Sequence, residues 1–179
     1  MRPPSSPLKT PHAAVVLIPP KALWPPIQSI RRIHDAHITR WMPHVTLLFP
    51  FLPADQFPEA EAKLESACSE VAAFRLELTR FQYFPGPKTA WLDPEPSETV
   101  RGLQARLQAE FPAYDDVARF PGGFRPHLSV GQGPPGLAEK LQAAWTPLSF
   151  DMREVALIRR DGPDDPFRVH RTFSLASKP

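Results

Sequence analysis

Residues 43–51 read PHVTLLFPF, and residues 126–133 read PHLSVGQG. Each stretch sets out proline, histidine, an apolar residue, a hydroxyl residue and a second apolar residue, in that order. Side chains alternate along a β-strand with a period of two, so His44 and Thr46 project from one face while Val45 and Leu47 enter the core. His127 and Ser129 stand in the same relation to Leu128 and Val130. Imidazole and hydroxyl then lie about 7 Å apart along one strand face, a proton carrier beside a donor to a phosphoryl oxygen. Burying an imidazole costs free energy unless it is hydrogen-bonded, so packing alone gives no reason for a histidine at the edge of two apolar, proline-bounded strands.

Outward from these strands the chain reads as alternating elements. Met1 to Pro11 is proline-rich without apolar periodicity and is expected to be a flexible leader, which leaves residues 12–179 as one domain. Ala13 to Ile18 reads as a buried strand. Pro25 to Ala36 is a helix with Ile27, Ile30 and Ile33 on one face, and Val45 to Phe51 is a second buried strand. Ala54 to Ala73 is a helix through Ala60, Leu64, Ala67, Cys68 and Val71. Phe74 to Thr79 and Lys88 to Leu92 suggest an antiparallel pair. A similar order then recurs: helix Glu98 to Phe111, strand Leu128 to Val130, helix Leu137 to Trp145, and a closing pair of strands, Phe150 to Arg160 and Arg168 to Leu175. The expected fold is therefore α+β, bilobal and pseudo-two-fold, with two antiparallel sheets and flanking helices around a central cleft. Such a cleft would bring the two histidine strands face to face.

The 179 residues, 42% hydrophobic and 22% charged, suit one globular core and exclude a disordered or fibrous chain. No apolar run approaches the roughly 20 residues needed to span a bilayer. Cys68 is the only cysteine, which excludes internal disulfides and cysteine zinc clusters and points to a reducing, cytoplasmic setting. A net charge of +2 fits a partner that offers one or a few phosphates better than a long nucleic-acid track.

Two other histidines, in His37-Ile38-Thr39 and His170-Arg171-Thr172, share the bare His-x-hydroxyl spacing. His37 lacks an apolar strand around it and reads as a surface residue. His170 reads as a solvated strand position sharing a face with Arg168 and Thr172. Neither motif carries the third ligand that zinc requires, and no serine-hydrolase elbow or P-loop is present. No metal or cofactor is expected. Gly131-Gln132-Gly133 reads as a turn.

The strands "HVTL" and "HLSV", about 80 residues apart, together with "MPHVTLLFPF", "TAWLDPEP" and "FRPHLSVGQ", resemble the 2H phosphoesterase superfamily. The likeness is to its RNA 2',3'-cyclic phosphodiesterases in particular, also called 2'-5' RNA ligases, and it covers nearly the whole chain after the leader. The resemblance implies that His44 and His127 are catalytic, with His127 as base and His44 as acid, and that Thr46 and Ser129 hold the phosphate. Ser129 keeps the hydroxyl of the commoner threonine. Gln132 stands where many members carry a basic residue, a loss for which Arg125 could compensate. Trp91 and Phe84 could stack on a base, although core packing is expected for both.

The function so implied is metal-independent hydrolysis of RNA 2',3'-cyclic phosphate ends to 2'-phosphate, with reverse 2'-5' ligation, by a monomer that binds RNA ends and no membrane. Two alternatives stay open: a same-fold phosphodiesterase on a small cyclic nucleotide, and a non-catalytic binder of RNA ends.

Overall fold

The computed structural model describes residues 7–177. In chain order the elements are β1 (Ala13–Leu17), α1 (Trp24–His34), β2 (Val45–Leu48), α2 (Phe57–Ser69), β3 (Phe74–Phe84), β4 (Thr89–Glu95), α3 (Ser97–Glu110), β5 (Leu128–Gln132), α4 (Leu137–Gln142), β6 (Leu148–Met152), β7 (Glu154–Arg159) and β8 (Arg168–Ser174). The strands form two four-stranded antiparallel sheets, ordered β2-β1-β7-β8 and β5-β4-β3-β6. The two orders correspond position by position, which is the expected pseudo-two-fold. In each sheet the histidine strand is at an edge.

The chain does not divide into an N-terminal and a C-terminal lobe. The first sheet takes β1 and β2 from one end of the described chain and β7 and β8 from the other, while the second is built from the middle. The segment Phe150 to Arg160, expected as one strand, is two. β6 pairs with β3 in the second sheet, the chain passes Arg153, and β7 pairs with β1 in the first. Phe150, Met152, Val155 and Leu157 are all buried, so apolar side chains continue through the switch and the sequence does not announce it.

The helices bind the sheets to each other. Helix α1 packs against β5 of the second sheet and α3 against β2 of the first. Each edge strand with a histidine is thereby covered by the helix that belongs to the other sheet, which removes the hazard of an open edge. Polar contacts repeat the exchange: Gln104 Nε2 of α3 donates to the Leu47 carbonyl of β2 at 3.4 Å, and the Ala36 N–H just after α1 donates to Gln132 Oε1 of β5 at 3.2 Å. Gly131 makes the second contact close. A Cβ built there would lie 2.4 Å from His34 Cβ and 2.6 Å from its carbonyl carbon, with φ at +151°. The Gly131-Gln132 turn expected from sequence is thus the end of a strand, and the missing side chain admits a helix terminus.

Three further expectations change. In α1 Ile27 is buried but Ile33 is 77% exposed, and Arg31 takes the inward position. A spacing of three drifts around a helix of 3.6 residues per turn, so the fourth residue returns to the core face. Arg31 is held there by Asp35 at 2.8 Å and by the Trp41 carbonyl at 2.8 Å. His170 sits opposite a bulge, since Leu157 pairs with Arg171 and Ile158 with Val169. It is exposed, as expected, but the bulge turns it toward α2, bonding Glu61 at 2.7 Å and resting 4.9 Å from the Phe57 ring, so the face expected to be shared with Arg168 and Thr172 is broken. Of the expected leader, residues 1–6 lie outside the described residues. Beyond them Thr10 exchanges two backbone hydrogen bonds with Phe51, at 2.8 and 3.2 Å, and Lys9 pairs with Asp116 at 2.6 Å.

Candidate active site

A carbonyl oxygen can only accept a hydrogen bond, and this fixes the tautomer of both imidazoles. His44 Nδ1 lies 2.7 Å from the Met42 carbonyl, and His127 Nδ1 lies 2.8 Å from the Arg125 carbonyl. In each case the partner is two residues upstream, across a proline that has no N–H of its own to compete. Nδ1 therefore carries the proton in both rings, and each Nε2 keeps a lone pair in the neutral form. Two prolines that look like strand boundaries in the sequence also aim the histidines.

Strands β2 and β5 lie beside each other, and the positive charge of a protonated His127 is felt at His44. Both rings are half-buried. Val45, Leu47, Leu128 and Val130 are buried, as the alternation requires, while Thr46 and Ser129 are half-buried on the histidine faces. Val16 is opposite Thr46 and Trp91 opposite Ser129.

Each histidine has its own aromatic wall. Trp41 stacks on His44 with ring centres 4.6 Å apart and planes inclined by 17°, and Phe167 and Phe49 back the indole at 4.0 and 5.5 Å. On the other side, Phe84 and Trp91 meet His127 edge-on at 5.2 and 5.9 Å and stack on each other at 4.7 Å. Trp91 is 1% exposed but lies outside the main core, and its Nε1–H, among the described residues, has no hydrogen-bond partner. Trp91 is buried, as expected of a core residue, whereas Phe84 is only half-buried; both rings flank His127. Arg125 is exposed, and its guanidinium lies 5.0 Å above the Trp91 ring centre. Gln132 is engaged with the end of α1. His37 is exposed and bonded to Arg40, apart from these walls.

The aromatic partners of His44 are the residues that sequence reasoning did not find. Trp41 is three positions before His44, where a tryptophan in a loop was visible, but Phe167 is distant in the chain and carries no signal.

Burial, ahead of all other causes, pushes the pKa of His44 down to about 4, helped by Arg31 and His127 and opposed by the bond to the Met42 carbonyl. Burial likewise lowers His127, with Arg125 adding to it and the bond to the Arg125 carbonyl opposing. At neutral pH the bare site holds two neutral imidazoles. An unfolded histidine takes up a proton near pH 6.5, so between about 6.5 and about 4 the unfolded chain binds more protons than the folded one. Stability therefore falls as pH falls through that window, on the order of 2 kcal/mol for the half-buried His44. Urea midpoints at pH 7 and 4.5 check this: the acid loss should be smaller in His44→Gln, and equal losses in the two proteins would place the His44 ring in water.

A profile of the 2'-5' RNA ligase superfamily matches residues 19–164. A Geobacillus kaustophilus protein, provisionally named a phosphoesterase, is 26% identical over 124 residues, 68% of this chain and 69% of that one. Among solved structures, Escherichia coli LigT complexed with 3'-AMP superposes with a TM-score of 0.65 at 15% identity, over 92% of this chain and 97% of that chain. The Thermus thermophilus protein TT0787 gives a TM-score of 0.62 at 20% identity, over 93% of this chain and 99% of that chain. The solved structures show the same fold. No helix among the described residues is long and apolar enough to cross a membrane.

Proposed function

Since the chain belongs to the 2'-5' RNA ligase superfamily, we propose that it opens 2',3'-cyclic phosphate ends of RNA to the 2'-phosphate. One observation supports this reading: two imidazoles on strands that approach each other, each held by Nδ1 to the carbonyl two residues upstream, which leaves Nε2 outside that bond in both rings; in the proposed reaction both Nε2 atoms serve one substrate. One Nε2 takes a proton from water as its oxygen bonds to phosphorus; the P–O3' bond breaks, and the other imidazole gives a proton to O3'. Thr46 and Ser129 hydroxyls, unengaged by other side chains among the described residues, donate to the non-bridging oxygens. With a 5'-hydroxyl in place of water, the same steps form a 2'-5' phosphodiester.

We keep the order implied by resemblance, His127 as base and His44 as acid. With its pKa near 4, His44 acquires its proton only when the phosphodiester anion enters and favours the charged ring. Trp41 assists, since the face of an indole also favours a cation.

The test is incubation with an oligonucleotide ending in a 2',3'-cyclic phosphate, with EDTA present, followed by identification of the product. A 2'-phosphate with a free 3'-hydroxyl is expected, at a rate that the chelator leaves unchanged. A 3'-phosphate product, or an uncleaved end, would refute the proposal.

A further inference from the structure

Arginines in this protein are mostly neutralised, as Arg80 is by Glu95 and Arg106 by Glu70 and Glu110. Among the described residues, Arg101 and Arg125 form no ion pair. Both line one cavity of about 190 Å³, together with Asp93, Ser97 and the Gly122–Gly123 turn. The turn leaves the wall open: φ is +85° at Gly122 and +83° at Gly123, and nothing lies within 4 Å of where either Cβ would stand. With water occupying about 30 Å³ in the liquid, there is room for a phosphate and several waters.

The position of this cavity relates it to the chemistry. Pro126 lines it and immediately precedes His127. Arg125 belongs to both places, since its carbonyl holds His127 Nδ1 at 2.8 Å and the residue also lines the cavity, with its guanidinium over the Trp91 ring. Asp93 is the one carboxylate of the lining, against two guanidiniums. Burial first, and Glu95 second, raise the pKa of its carboxyl, while Arg80 and Arg125 oppose the rise.

A guanidinium fork that no carboxylate engages in an ion pair is suited to the paired oxygens of a phosphate. We propose that this cavity binds the backbone phosphodiester next to the cyclic end, so that the protein acts on an RNA strand in preference to a free cyclic nucleotide. This inference rests on the function proposed above. The geometry assigns Arg101 to the second phosphate alone and Arg125 to the ground between the two.

The experiment compares kcat/KM for 2',3'-cyclic uridine monophosphate with kcat/KM for an oligouridylate carrying the same end, in the wild type, Arg101→Gln and Asp93→Asn. Arg101 is exposed and unpaired, so its replacement leaves the fold intact, which thermal midpoints verify. The wild type should prefer the oligonucleotide. In Arg101→Gln that preference should fall about tenfold, the worth of one charge-assisted contact, and the salt dependence on the oligonucleotide should weaken by about 0.7 in log–log slope. Asp93→Asn should strengthen the preference. If both substrates are cleaved and Arg101→Gln leaves their ratio unchanged, the second phosphate site is refuted while the proposed reaction stands. A wild type that cleaves neither removes both.

Discussion

Replacing His127 or His44 with alanine is expected to lower kcat on a cyclic-ended oligonucleotide by about 10²-fold to 10⁴-fold in each case, the usual worth of a positioned acid or base. At about 1.36 kcal/mol per decade the barrier rises by roughly 3 to 5 kcal/mol. The backbone that supports each ring is independent of the ring, since the Met42 and Arg125 carbonyls belong to residues left in place. The double variant supplies the sharper measurement. Two groups serving one phosphorus act as a unit, so removing both should cost little more than removing either. Fully additive losses would mean that the two imidazoles contribute independently of each other. Near-normal turnover in a single variant would remove that histidine from the chemistry.

Gly131→Ala should destabilise the fold by about 3 kcal/mol or more, the range for forced overpacking combined with backbone strain. Its methyl group would need the space of His34, with contacts of 2.4 Å to Cβ, 2.6 Å to the carbonyl carbon and 2.7 Å to the carbonyl oxygen. Two of these are backbone atoms, so no rotamer relieves the clash, and the end of α1 must leave β5. The Ala36–Gln132 hydrogen bond goes with it, and the His127 strand loses its register against the rest of the cleft. Activity should therefore fall more than the population of folded protein accounts for. Gly133→Ala meets only the Leu137 side chain, nearest at 2.7 Å, and Gly86→Ala meets nothing within 4 Å; these two variants should rank far below Gly131→Ala in the loss of thermal midpoint. An unchanged midpoint for Gly131→Ala would show that the helix end yields freely.

Most elements are legible in the sequence because local rules suffice for them. Prolines bracket β1 and β2, a 3.6-residue apolar rhythm marks α2, and the alternation around His44 and His127 sets which side chains turn inward. The alternation also pairs His44 with Thr46 and His127 with Ser129 on half-buried faces; their assignment to a phosphate site comes from the family resemblance. What escapes the sequence depends on partners remote in the chain. Arg31 looks like the polar side of a helix until Asp35 and the Trp41 carbonyl are seen to satisfy it in the core. Gly131 imitates a turn because glycine signals both freedom of backbone and proximity of another backbone, and only the approach of α1 tells which. The passage from β6 to β7 between sheets leaves no trace, since both sheets demand the same apolar alternation.

The first sheet joins β1 and β2 to β7 and β8, and this has a consequence for biosynthesis. As the polypeptide emerges from the ribosome, the His44 strand can find only β1 as a neighbour, and a two-stranded hairpin is marginal in water. The four middle strands can assemble first, and the N-terminal segment must wait for residues 154–174 to be translated. Contacts so far apart along the chain close slowly. Cutting the gene between the two histidines would therefore not yield two independent halves, and a nascent chain that has emerged only as far as residue 152 would hold all four strands of the His127 sheet beside a His44 strand whose sheet still lacks β7 and β8.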